Sequence, residues 1–175
     1  MLKINLGCGG NILDDWENHD IDVDLTKTLP FGPESAQYVF AEHCIEHITT
    51  LEAVNFFFEA LRILVPGGIL RVAFPSITRV FEQYTQEYGN FLQGHGWGDG
   101  TLGSSVLSLI RYHEHKSPWN ADIARALLLS CGFSTVHELS PGVSTNSELS
   151  NLEGHGKVIG DAFNRIETEV VEAIK

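Results

Sequence analysis

The sequence predicts an α/β fold: a three-layer, mostly parallel sheet completed by an antiparallel C-terminal strand. Three observations predict it. Apolar runs of strand length alternate with amphipathic helical segments, the pattern of a parallel sheet covered by helices. The first run, Lys3-Ile4-Asn5-Leu6, enters a glycine turn, Gly7-Cys8-Gly9-Gly10, at the end of a strand where open α/β sheets bind ligands. The last two runs are joined by a polar connection and read as a hairpin.

Taken in order, Lys3–Leu6 is a buried parallel strand, and Trp16–Asp22 is a second with acidic residues at its carboxyl end. Ala36–Ala41 is the third. Thr49 or Thr50 caps a helix whose apolar residues, Leu51, Val54, Phe57, Phe58, Leu61 and Leu64, recur at helical spacing. Pro66-Gly67-Gly68 ends it and turns the chain into the strand Ile69–Phe74. A helix follows over Ile77–Tyr88, and then a variable region, about 89–119, rich in glycine, histidine and aromatics, with a short helix at Ser105–Tyr112. Asn120–Ser130 is a helix stopped by Gly132, Phe133–Leu139 a strand, Pro141–Gly160 a polar loop and Ile166–Ile174 the last strand.

The 175 residues fit a single domain, 1–175, with a sizeable core. With 11 Lys+Arg against 23 Asp+Glu, the formal net charge is −12 and the basic residues are scattered. Counterion release from phosphates has little to work with, so nucleic acid is disfavoured as a partner and a small molecule fits better. Three well-separated cysteines, Cys8, Cys44 and Cys131, suit a reducing compartment. No apolar run approaches membrane-spanning length and no signal segment precedes the first strand, so the expectation is a cytoplasmic protein that does not engage a membrane.

Glycines at 7, 9 and 10 let the backbone bend sharply and approach a ligand closely. A dinucleotide fingerprint would place another glycine where Ile12 stands, which disfavours NAD and FAD. A plain tight turn is the competing reading of this motif alone. Four further motifs follow: His19-Asp20-Ile21-Asp22; Leu29-Pro30-Phe31 with Ser35–Phe40; Ala41-Glu42-His43-Cys44-Ile45-Glu46-His47; and Leu61–Val72, which contains Pro66-Gly67-Gly68. Together and in this order they resemble the class I S-adenosylmethionine-dependent methyltransferases, and among these the small predicted members with little beyond a Rossmann-like core. The resemblance covers Lys3 to Ser76 well and is looser beyond.

The resemblance implies S-adenosylmethionine as cofactor and S-adenosylhomocysteine as product. Gly7, Cys8, Gly9 and Gly10 would pass under its methionine and ribose part. An acid at the end of the second strand would accept hydrogen bonds from the ribose hydroxyls; Asp20 aligns best, with Asp22 and Asp24 as neighbours. Asp24 is read either as a partner of the adenine amino group or as the cap of a turn. Leu25, Leu29 and Phe31 would cover adenine, and Glu42 and His43 would border the cofactor. The stretch between Asp22 and Ala36 is too short for the helix, strand and helix that the family places there, so the sheet is expected to be trimmed at its third-strand edge. No helix precedes the first strand; the variable region or a second subunit, as in a homodimer, would cover the methionine end.

Methyl transfer from a sulfonium is an in-line displacement, so the protein mainly aligns the acceptor and excludes water. Candidates for direct roles are His43 and His113, with Pro75, Ser76, His95, Trp97, Tyr112, Glu114, His115 and Trp119 nearby in the reading. Cys8 reads as a small packing residue rather than a nucleophile. His43 and His47 are four apart, yet the family carries the same Glu-His pattern without a metal, and none is assigned. The acceptor is an unidentified small molecule. The alternative is a catalytically inactive cofactor-binding module or partner subunit.

Overall fold

The computed structural model describes residues 1–175. Strands β1 (Leu2–Leu6), β2 (Glu17–His19) and β3 (Ala36–Glu42) precede helix α1 (Thr50–Ile63) and the long strand β4 (Leu64–Pro75). Helices α2 (Ile77–Gln83), α3 (Gln86–Gly94), α4 (Leu102–Arg111) and α5 (Ala121–Cys131) lead to strand β5 (Thr135–Leu139). A short α6 (Gly156–Ile159), α7 (Asp161–Glu167) and strand β6 (Thr168–Ile174) complete the chain. The six strands form one sheet in the order β2-β1-β3-β4-β6-β5. β2, β1, β3 and β4 are mutually parallel, whereas β6 runs antiparallel to both β4 and β5. The fold class is therefore as the sequence predicts, including the edge, which stops at the three-residue β2.

Strand alternation divides the sheet into two faces. Val39 and Ala41 of β3, Leu70, Val72 and Phe74 of β4, and Val171 and Ala173 of β6 point into the main core, packed against α1 and α5. Thr49 begins α1 with a capping box: its side chain accepts the Glu52 N–H, and Glu52 reaches back to the Thr49 N–H. The opposite face carries Tyr38, Phe40 and Ile69 and is closed by Leu13, Trp16, Leu149 and Leu152, which lie outside the long helices. A satellite cluster of Val80, Tyr88, Leu92, Leu109 and Ile166 joins α2, α3, α4 and α7 beside the end of β4.

Arg71 holds the loop-covered face together. It lies on β4 opposite Glu172 of β6 and is fully buried. Its guanidinium donates to Glu172 Oε1 (2.6 Å), to Glu153 Oε1 (2.7 Å) and to the Val143 carbonyl (3.0 Å). Glu153 Oε2 in turn accepts the Gly142 N–H at 2.8 Å. One cation thus fastens both ends of the segment 142–153, satisfying a buried charge with two carboxylates and a carbonyl.

Several boundaries differ from expectation. The predicted strand Trp16–Asp22 is cut to Glu17–His19, because the Asp22 carboxylate accepts the Asp20 N–H at 2.7 Å and curls the chain away from β1. The predicted helix Ile77–Tyr88 breaks at Tyr84, and Thr85 caps a new helix by accepting the Tyr88 N–H. That second helix passes through Gly89, where a Cβ would meet the Gly100 carbonyl oxygen at 2.4 Å, so glycine there is a packing residue and not a helix stop. The last strand starts at Thr168, since Ile166 and Glu167 finish α7. Leu64 leaves the helix and becomes the first residue of β4, so Pro66-Gly67-Gly68 lies within that strand and not before it. No helix is long and apolar enough to cross a membrane.

Candidate functional site

The site is built on the carboxyl ends of β1, β2 and β3. β1 delivers the chain into the turn at Gly7, whose φ of 63° is left-handed, and Gly9 repeats this at φ 47°. Gly7 is also a close approach: a Cβ there would lie 2.2 Å from Cys44 Sγ. Asn5, buried within β1, steadies the turn through its side-chain amide, which donates to the Asn11 carbonyl and to Asn18 Oδ1, both at 2.9 Å. Asn18 binds Leu13 and Trp16 in the same way, so a side-chain amide network holds residues 11–16 where no helix forms.

A cleft of about 320 Å³ opens beside this turn, lined by Gly7, Cys8, Gly10 and Asn11 on one side and by Glu42, His43, Gly154 and His155 on the other. Glu42 draws the two sides together. Its carboxylate accepts the Gly154 N–H (2.7 Å), the His155 N–H (3.0 Å) and the Asn11 amide (3.3 Å). Burial, followed by the nearby Asp20 and Asp22 carboxylates, raises the Cys8 pKa, which keeps it a thiol as expected of a packing residue.

The predicted acids are not equivalent. Asp22 takes the Asp20 N–H and the His19 ring (2.7 Å), and Asp24 accepts from the Thr26 N–H and hydroxyl, closing a turn. The Asp22 pKa is lowered first by its hydrogen bond from His19, and that of Asp24 by Thr26. Asp20 contributes only its backbone to this turn and keeps its carboxylate free. Of the apolar residues expected to cover adenine, Leu25 and Phe31 are partly buried against the core, but Leu29 is fully packed inside it and is unavailable. Neither Gly9 nor Asp20, Asp22, Asp24 and Leu25 lines the cleft itself.

A second cavity of about 370 Å³ adjoins the cleft, and His43, His155 and Val158 line both. His43, immediately after β3, has φ 50°, a strained conformation for a non-glycine residue. Its ring stacks on His155 with centroids 3.9 Å apart. Nδ1 faces Glu46 at 3.2 Å and Nε2 faces the Thr168 hydroxyl at 3.1 Å. Thr168 donates to Asn164 Oδ1, so His43 Nε2 is the donor to Thr168. Burial alone would lower the His43 pKa; the carboxylates of Glu46, Glu167 and Glu42 together outweigh it, and the net shift is upward. His155 Nε2 pairs with Glu167 Oε1 at 2.8 Å, and Tyr88 donates to Glu167 Oε2 at 2.6 Å.

The second cavity collects three of the variable-region candidates: Trp97, His113 and His115 line it together with Pro75. Burial, then His115, lowers the His113 pKa. The other candidates lie elsewhere, Tyr112 and Glu114 among them as exposed residues outside the cavity lining. Trp119 is fully buried, its indole N–H donating to Ser117 Oγ at 2.9 Å, and belongs to the core. Ser76 caps α2 by accepting the Arg79 N–H. His95 stacks on Trp97 at 4.8 Å outside the cavity wall. His43 and His47 do not share an α-helical face, because Ile45–His47 is a single 3-10 turn. Sequence reasoning missed His155, for which the only signal was the glycine pair flanking it, Gly154 and Gly156, within a long polar loop.

No protein-family model matches the chain, and no curated protein matches it. Solved structures do. A methyltransferase dependent on S-adenosylmethionine from Archaeoglobus fulgidus superposes with a TM-score of 0.58 at 13% identity, over 99% of this chain and 86% of the other. A possible histamine N-methyltransferase from Thermotoga maritima gives 0.57 at 15% identity, over 99% and 82%. An S-adenosylmethionine-dependent methyltransferase from Mesorhizobium loti gives 0.56 at 12%, over 99% and 90%. The chain has the class I S-adenosylmethionine-dependent methyltransferase fold.

Proposed function

We propose that this chain is an S-adenosylmethionine-dependent methyltransferase acting on a small-molecule acceptor. The observation that carries the reading is the shared wall. The cleft at the glycine turn and the adjoining cavity meet at His43 and His155, as a cofactor site and an acceptor site must meet at the transferred methyl group. Gly7, Cys8, Gly9 and Gly10 would support the methionine and ribose part, with Glu42 fixing the far wall. Asp20, the acid left without a side-chain partner, would accept the ribose hydroxyls, and Leu25 would border the adenine near Asp22 and Asp24.

The bound sulfonium supplies an already activated methyl group. What the chain adds is placement and the exclusion of water. His43, whose Nε2 donates to Thr168 and whose Nδ1 stands against the Glu46 carboxylate, orients the junction, while His113 faces the acceptor side as the imidazole that touches it. The acidic rim at Asp20, Asp22 and Glu42 complements a cationic cofactor.

The bare β2 edge favours a second reading, a binding module without turnover. Incubation with S-adenosylmethionine and a panel of amine, phenol and thiol acceptors separates the two. The enzyme reading expects S-adenosylhomocysteine to accumulate with at least one acceptor, and His113→Ala to slow it while cofactor affinity is kept. Cofactor binding with no turnover on any acceptor class would favour the module.

A further inference from the structure

Two groups of side chains in the second cavity bring three metal-type donors together: His43, His155 and Glu167; and Glu46, His47 and His115, each group with its donor atoms within 4.8 Å of one another. They differ in what their donors already do. In the first, Glu167 is held by His155 and Tyr88, His43 by Thr168, and the two imidazoles stack face to face, so their lone pairs do not converge. In the second, Glu46 is only 1% exposed, yet neither of its carboxylate oxygens has a hydrogen-bond partner. The 3.2 Å approach of His43 Nδ1 supplies charge but lies off hydrogen-bond geometry. A buried carboxylate without hydrogen bonds is costly even beside a charged neighbour, unless something fills its coordination.

The histidines of this second group are set up to supply that partner. His115 Nδ1 donates to the Leu109 carbonyl at 2.6 Å, which fixes the tautomer and leaves the Nε2 lone pair free, as for metal-binding histidines oriented by a backbone carbonyl. Consecutive left-handed residues, His113 at φ 58° and Glu114 at φ 60°, turn the chain so that His115 comes back against His47, their rings 4.9 Å apart. The segment is tied to the Glu46 turn by Lys116 N–H to the Glu46 carbonyl (2.7 Å) and Ser117 hydroxyl to the Ile48 carbonyl (2.8 Å). All three side chains line the cavity.

We infer that Glu46, His47 and His115 form a binding site for a divalent transition-metal ion of the zinc class. Two imidazoles and one carboxylate are the borderline donor set such ions prefer, and three protein ligands leave a coordination position open to the cavity. His43 then stands behind Glu46 as the outer partner that orients it. The inference does not depend on the cofactor reading.

The test is titration of chelator-stripped protein with Zn²⁺ against a chromogenic indicator, and with Co²⁺ followed by its visible absorption. The expected result is one bound equivalent, visible Co²⁺ bands of a four- or five-coordinate ion, and a melting temperature raised by Zn²⁺. His115→Ala and Glu46→Gln, checked for folding by circular dichroism, should weaken binding by more than the roughly 10–100-fold that loss of an outer partner costs. His155→Ala, in the other group, should keep it. Absence of stoichiometric binding by the wild type, or binding left intact in His115→Ala, would overturn the assignment. So would equal loss in His155→Ala. Calorimetry with S-adenosylhomocysteine on the same stripped protein reports on the cofactor reading separately.

Discussion

Arg71→Met should cost about 3–5 kcal/mol of unfolding free energy, the range found when one partner is taken from a buried ion pair and its charge is left uncompensated. The reason is geometric. Arg71 is 0% exposed, and the two carboxylates it serves, Glu153 and Glu172, are 3% and 4% exposed. Removing the guanidinium strands both anions and releases the Val143 carbonyl. Against a typical total of about 5–15 kcal/mol, this is a large fraction of the stability. Urea denaturation measures the loss. The triple variant Arg71→Met, Glu153→Gln, Glu172→Leu should recover much of it, because no buried charge remains. A functional consequence accompanies the structural one. The segment Arg71 fastens runs into Gly154 and His155, whose N–H groups bind Glu42 at the cleft, so limited proteolysis of the single variant should cut first within 141–160.

Gly7→Ala should abolish cofactor binding in a calorimetric titration and lower stability as well. Two penalties coincide. The φ of 63° costs an L-residue on the order of 1–3 kcal/mol, and the new methyl group would stand 2.2 Å from Cys44 Sγ. That sulfur has little freedom to move, since it donates to the Glu42 carbonyl at 3.0 Å. The turn must therefore shift, and the turn is the floor of the cleft. Gly9→Ala supplies the control: its φ is also left-handed, at 47°, but its Cβ meets open space, so it should show the backbone penalty with a milder loss of affinity. Gly7→Ala combined with Cys44→Ala should relieve the clash and not the strain.

The parts of this fold that were legible in the sequence are those set by short-range chemistry. β1 with its glycine turn, β3, and α1 with Thr49 at its cap each announce themselves within a dozen residues. The missing third-strand edge followed from simple length between Asp22 and Ala36. What stayed hidden depends on distant partners. The loop Pro141–Gly160 reads as polar because its purpose is to meet Arg71, seventy residues earlier in the chain, and Glu42. His155 reaches the site only through those contacts. The break at Tyr84 is likewise decided by Gly100 and Thr85, a tertiary contact and a cap that override an unbroken helical pattern. Conversely, Trp119 and Leu29 looked available for ligands because sequence shows apolar character without showing which side of it is already covered.

Isothermal titration of the wild-type chain with S-adenosylmethionine and with S-adenosylhomocysteine is the most direct test of the central claim, a sulfonium cofactor seated on the turn Gly7–Gly10 with its ribose on Asp20. The account predicts binding of both ligands at one site per chain, no binding of NADH, and loss of affinity in Asp20→Ala with the fold retained. Failure of either cofactor form to bind at millimolar concentration, or full affinity in Asp20→Ala, would contradict it.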